Sequence, residues 1–302
     1  MNLQLKLKTE KHEKLGYYAS DYGRLGFDIF HAFRGTEPTN PIEWTDTLRM
    51  SAGKGVELQM VQILKDNDVV DADYSQEDEQ TYEMEREGVK VRMKIDAIVR
   101  QPIHNGDNII YPPFGLIEGA PIEIKSINNR NSFDIKSYAD NKPRENYVGQ
   151  LAIYMDYLSS QMGYLFVASI DGLNTFWMEC HRIEEGIYEC GQTRVDITKE
   201  YKRWAKIQQC LNENKEPDPF EFGRYKLPID EVKWDTLSMT DISKARNGDK
   251  VIGDKDAWKI SYSPWKLLLL ERQGVSLGYS TKEIEKIKEL TKGYSSKTKK
   301  DA

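Results

Sequence analysis

Pro121-Ile122-Glu123-Ile124-Lys125-Ser126 decides how the rest of this chain is read. Isoleucine and charge alternate there, which is the period of a strand with one buried face. On that reading Ile122 and Ile124 enter a core, while Glu123 and Lys125 leave the same face side by side. Metal-assisted cleavage of a phosphodiester uses such a pair. The acid holds a cation, and the amine supports the attacking water or the developing charge. Alone, Glu-Ile-Lys is also an ordinary half-exposed strand, so the flanking segments carry the decision.

Upstream, Thr81 to Glu87 and Val89 to Arg100 read as two strands turning at Gly88. In the second, Val89, Val91, Met93, Ile95, Ala97 and Val99 form one face. Lys90, Arg92, Lys94 and Asp96 form the other, which puts Asp96 beside three cations. That face suits a salt-bridged, wetted strand, or a metal ligand next to a phosphate-binding strip. Further upstream, Thr47 to Lys65 is helical in period. Gly53, Glu57, Met60, Val61 and Leu64 share one stripe. Glu57 stands within apolar positions, where a carboxylate needs a cation or an outlet to solvent. Gly53 and Gly55 each weaken such a helix by about 1 kcal/mol relative to alanine, which points to a close approach at that end.

Downstream, Asn128 to Lys142 is polar and basic and reads as a loop. Pro143 suits the first turn of a helix running to about Ser160. On it Tyr147, Gln150, Leu151, Tyr154 and Leu158 share a face, and Gln150 and Tyr154 are one turn apart. Met162 to Ile170 and Asn174 to Ile183 read as strands joined at Asp171-Gly172. Glu184 to Asn214 reads as mostly helical, Trp258 to Leu270 as apolar and aromatic, and Thr281 to Lys292 as a charged helix. Asp66 to Gln80 carries seven acids and reads as a solvated insertion. The lysine-rich end, Ser295 to Ala302, is expected to be disordered.

The 302 residues carry a net charge of −6, so any contact with nucleic acid has to use a local basic strip. No run of 18 apolar residues exists, so no membrane span is expected. The start, Met1 to Lys6, alternates polar and apolar residues and lacks an apolar leader; export is not expected. Cys180, Cys190 and Cys210 are widely spaced, which argues for a reducing compartment and against a disulfide framework.

In chain order these segments give Gly53-x-x-x-Glu57, Ile95-Asp96-Ala97, Glu123-Ile124-Lys125-Ser126 and Gln150-x-x-x-Tyr154. The set resembles the PD-(D/E)XK nuclease superfamily, in its RecB-like and phage exonuclease branch. The resemblance covers about Gly53 to Tyr164. It departs from most RecB-like members at Glu57, where they carry histidine, and is similar there to the lambda-exonuclease-like branch. Glutamate is a hard oxygen ligand and remains competent for magnesium. Many relatives also hold an iron–sulphur centre on one early and three late cysteines. Here Leu25, Ile260, Ser263 and Leu269 stand at the matching positions, so no such cluster is expected.

The resemblance implies an α/β fold: a restriction-endonuclease-like core with a central mixed sheet flanked by helices, and helical additions at both ends. It implies one nuclease domain over residues 1–302, with a core at about 47–185 and an elaboration at 186–294. It implies that Glu57, Asp96, Glu123 and the Ile124 carbonyl hold one or two Mg2+ or Mn2+ ions, and that Asp96, Glu123 and Lys125 are catalytic. Gln150, Tyr154, Tyr147, Arg130, Lys142 and Arg144 are the expected substrate contacts, since single strands are tracked by cations and aromatic faces. The implied activity is a DNA exonuclease of recombination, replication or repair. It would act in the cytoplasm of a bacterial or phage-infected cell, with a helicase or a single-strand-binding or annealing protein as partner. A structure- or site-specific endonuclease and an inactive DNA-binding module of the same fold are the alternatives.

Overall fold

The computed structural model describes residues 14–40, 44–70, 81–101, 112, 114–128, 132–170, 174–224 and 257–291. The protein is α/β, with mixed sheets flanked by helices. The chain divides into two compact units. One holds residues 16–23 and 45–205; the other holds residues 1–15, 24–44 and 206–302.

In the first unit, β1 (Tyr17–Tyr18), β2 (Tyr82–Arg86) and β3 (Val89–Met93) form a three-stranded sheet in the order β1-β3-β2. The β2–β3 hairpin turns on Glu87 and Gly88, with φ of +50° and +73°. Two successive left-handed residues are what a two-residue hairpin of this twist requires, and glycine takes one of them without strain. A six-stranded sheet follows, in the order β4-β5-β6-β7-β8-β9. Its strands are β4 (Ala97–Ile98), β5 (Pro121–Ile127), β6 (Met162–Ser169), β7 (Thr175–Glu184), β8 (Ile187–Cys190) and β9 (Thr193–Asp196). Strand β5 pairs antiparallel with β4 and parallel with β6; the remaining pairs are antiparallel. The parallel pair needs a crossover, and α3 (Ser132–Ala139) and α4 (Glu145–Leu158) lie within it.

The two faces of this sheet follow residue parity. Ile122, Ile124, Tyr164 and Phe166 pack with Val61 and Leu64 of α2 (Trp44–Asp66) in one buried cluster. On the other face, Gly163 of β6 lies against Met155 and Leu151 of α4. Helix α5 (Ile197–Asn212) follows β9. The other unit contains α1 (Gly26–Phe33), a 3-10 turn (Ala257–Tyr262), α6 (Lys266–Ser276) and α7 (Thr281–Thr291).

Several expectations are corrected. The alternating run Val89 to Arg100 is not one strand. β3 ends at Met93, the chain leaves it over residues 94–96, and β4 joins the other sheet. All six apolar positions are still buried, because alternating burial does not specify which partner a strand takes. The strand expected from Phe114 begins at Pro121, and the loop expected at residues 128–142 contains α3. Glu184 to Asn214 holds a β-hairpin before its helix. Val69 and Val70, placed in a solvated insertion, are core residues, and Val70 bridges Val99. Residues 71–80, the turn at Asp171-Gly172 and the tail from Ser295 lie outside the described residues.

Candidate functional site

Each predicted acid reaches the site by a different route. Glu123 and Lys125 share a face of β5, which is the central partner of β4 and β6. Asp96 stands where the chain crosses from one sheet to the other, and its Oδ2 accepts a 2.8 Å hydrogen bond from the Ile124 amide. That bond ties the crossover to β5 at the residue between Glu123 and Lys125. Glu57 comes from α2, and its Oε1 accepts bonds of 3.3 Å from both the amide and the hydroxyl of Ser126.

The Lys125 ammonium is the hub. It contacts the Glu123 carboxylate and lies 3.9 Å from Asp96 Oδ2. Glu123 is 0% exposed, against the half-exposed position that simple alternation predicts. Its carboxylate is met by the Lys125 ammonium. Burial raises its pKa well above the usual carboxylate range; Asp96 adds to that and Lys125 opposes it. Burial likewise raises the Glu57 carboxyl, with Lys125 lowering it and Asp96 raising it. Burial would lower the Lys125 ammonium, but Glu123, Asp96 and Glu57 together outweigh it and raise its pKa. The amine is therefore charged at neutral pH and balances part of the acidic cluster.

The structure thus brings together Glu57, Asp96, Glu123, Ile124 and Lys125. Among the described residues, no group of three or more acid, histidine or cysteine side chains is spaced so that it could hold a metal ion. The donor set nevertheless fits a hard divalent cation. It offers carboxylate oxygens, the ligand type such an ion prefers, with the Lys125 ammonium against the Glu123 carboxylate.

The expected substrate contacts divide. Tyr147 lies between two cations, with Lys125 Nζ 5.8 Å and Arg144 Cζ 5.7 Å from its ring centroid. Arg144 is held by a bidentate pair with Asp134, at 2.7 and 2.6 Å. Lys142 is exposed. Gln150 donates to Tyr154 Oη at 2.6 Å, and Tyr154, only 1% exposed, donates to the Lys94 carbonyl at 2.6 Å. This chain of bonds anchors the backbone two residues before Asp96. Gln150 and Tyr154 therefore position the crossover. Arg130 lies outside the described residues. Lys90 and Arg92, expected beside Asp96, instead pair with Glu83 across the β2–β3 hairpin.

Sequence reasoning assigned no role to Ser126, whose two bonds to Glu57 join α2 to β5. The available signal was Gly53, one helical turn before Glu57. A cavity of about 610 Å3 lined by His31, Arg34, Glu216 and Arg272, among others, belongs to the other unit and contains none of the predicted residues. In that same unit Leu25, Ile260 and Leu269 line one small cavity with Phe27 and Phe222. Ser263 is bonded instead to the buried Asp28.

The class these features define is an α/β protein with a buried acid–lysine cluster on its central sheet. No family model and no curated protein matches the chain. A solved structure described as "Crystal structure of SSO0001" is similar over 70% of this chain and 84% of its own, at 14% identity and a TM-score of 0.37. That likeness is too slight to carry an argument. No helix among the described residues is long and apolar enough to cross a membrane.

Proposed function

We propose that the chain is a divalent-metal-dependent deoxyribonuclease of the PD-(D/E)XK type, acting as an exonuclease on DNA ends in recombination, replication or repair. The observation that carries the reading is the Lys125 ammonium set against both Glu123 and Asp96, three positions that the sequence pattern singled out. A purely structural strand has no need of a fully buried carboxylate there.

Glu57, Asp96 and Glu123 would hold Mg2+ or Mn2+. When bound, such an ion polarises the scissile phosphate and makes a water more acidic. Lys125 Nζ, charged and held by two carboxylates, orients the attacking water and stabilises charge on the phosphoryl oxygens. The carboxylates around it favour the charged form of this amine. Glu123, at 0% exposure, holds Lys125 in place. The Tyr147 ring gathers the Lys125 and Arg144 cations beside the site, where they can meet the phosphates of a strand.

The test is cleavage of end-labelled linear and closed circular DNA in Mg2+, with the Asp96→Ala and Lys125→Ala variants alongside. Loss of a group that stabilises transition-state charge costs about 100-fold to 1,000-fold in rate. Both variants should lose at least about 100-fold, and circles should be spared. Undiminished cleavage in either variant would remove the assignment, and cutting of closed circles would make the enzyme an endonuclease.

A further inference from the structure

We propose that Ser126 is a positioning residue that latches Glu57 by one carboxylate oxygen, with Gly53 providing the room, so that the other oxygen is presented to the divalent ion. The inference rests on the metal-dependent reading above and deepens it. Both Ser126 donors, the amide and Oγ, converge on Glu57 Oε1, each at 3.3 Å. Oε2 takes no hydrogen bond and no ion pair among the described residues. A carboxylate held through one oxygen loses rotational freedom, while its second oxygen keeps its lone pairs for a ligand.

Gly53 explains why the latch closes. A Cβ at that position would stand 2.6 Å from Ser126 Oγ and 3.8 Å from Ser126 Cβ. The hydroxyl thus sits in the space a side chain would fill. Glu57 follows four residues later on the same helical face, so one face of α2 supplies both the seat for the hydroxyl and its acceptor. Gly55, two residues on, has nothing within 4 Å of its notional Cβ. The two glycines are equally weak in a helix, yet only Gly53 has a packing requirement.

The experiment measures Mn2+ binding by titration calorimetry on the full chain, together with the Mg2+ dependence of DNA cleavage. Loss of an outer-shell partner lowers metal affinity by about 10-fold to 100-fold. Ser126→Ala should weaken Mn2+ binding at least about 10-fold and raise the half-saturating Mg2+ by a similar factor. Cleavage at saturating Mg2+ should stay within about twofold of wild type. Ser126→Thr keeps the hydroxyl and should restore affinity. Gly53→Ala drives a methyl into Ser126 Oγ and should reproduce Ser126→Ala, whereas Gly55→Ala should change neither quantity. Melting without metal separates a loosened latch from a misfolded chain, and the Gly53 variant keeps the test open should Ser126→Ala fold poorly.

Unchanged Mn2+ affinity in both Ser126→Ala and Gly53→Ala overturns the proposal, as does a fall in cleavage rate with metal affinity intact. A wild type that binds no Mn2+ overturns it too. A wild type that binds Mn2+ at least tenfold more tightly than Ser126→Ala, yet cuts no DNA, supports the latch and overturns the nuclease reading alone.

Discussion

At the scale of single residues, the protein places carboxylates where burial works against their charge. Glu123 is stabilised there by Lys125, and Asp28 by Ser263, whose hydroxyl donates to Asp28 Oδ1 at 2.5 Å. Burial pushes the Asp28 carboxyl up to about 6 from its usual 3.8, with Ser263 and Arg24 opposing the rise. A folded-state pKa above the unfolded one means that stability is fully present below about pH 4 and is lost as pH rises through about 6. Two pKa units correspond to about 3 kcal/mol. Denaturant unfolding in EDTA should therefore show Asp28→Asn more stable than wild type at pH 8, with the gap closing by pH 4. A variant less stable than wild type at pH 8 would show that the charged form is favoured. Of the candidate site residues, Glu57 was legible for a related reason. A carboxylate in an apolar stripe is a local contradiction visible without coordinates, whereas Glu123 and Lys125 were legible only as one face of an alternating strand, and the full burial of Glu123 was not. Ser126 was not legible, because a serine after a strand motif carries no such contradiction.

At the scale of elements, close approach decides more than propensity. Gly149 of α4 would place a Cβ 2.3 Å from the ring of Tyr22, so this helix and the 3-10 turn at Ala19–Asp21 meet only because the side chain is missing. Alanine is worth about 1 kcal/mol over glycine in a free helix. Overpacking a filled interior costs about 1–3 kcal/mol, and more where a ring must shift. Gly149→Ala should accordingly destabilise the protein by about 1–2 kcal/mol net, read as a lowered denaturant midpoint. A raised midpoint would mean that Tyr22 moves aside freely. Long periodic elements such as α2 and α4 were readable from their stripes. The hairpin of β8 and β9 was not, because four-residue strands offer too few alternations to compete with the helical period of α5 next to them. Nor was the sheet change after Met93. Its cause is the partner each half finds, β1 and β2 for one and β5 for the other, and partners lie far away in sequence.

At the scale of the whole molecule, the chain's organisation comes from contacts between distant segments. Asn40 N donates to the Pro264 carbonyl, and Trp265 Nε1 donates to the Thr36 carbonyl, so early and late residues build one unit together. Composition and periodicity contain no trace of such pairings. In that unit Leu25, Ile260 and Leu269 line one small cavity together with Asp218 and Glu221. The acidic balance of −6 means that the proposed DNA contact has to use a local basic strip. The account predicts that the charge pattern is completed by a divalent ion in the first unit. Anomalous diffraction from crystals soaked in Mn2+ measures this most directly. The account predicts a peak within about 2.5 Å of oxygens from Glu57, Asp96 and Glu123, beside the Lys125 ammonium. No peak there, or a peak held by other residues, would contradict it.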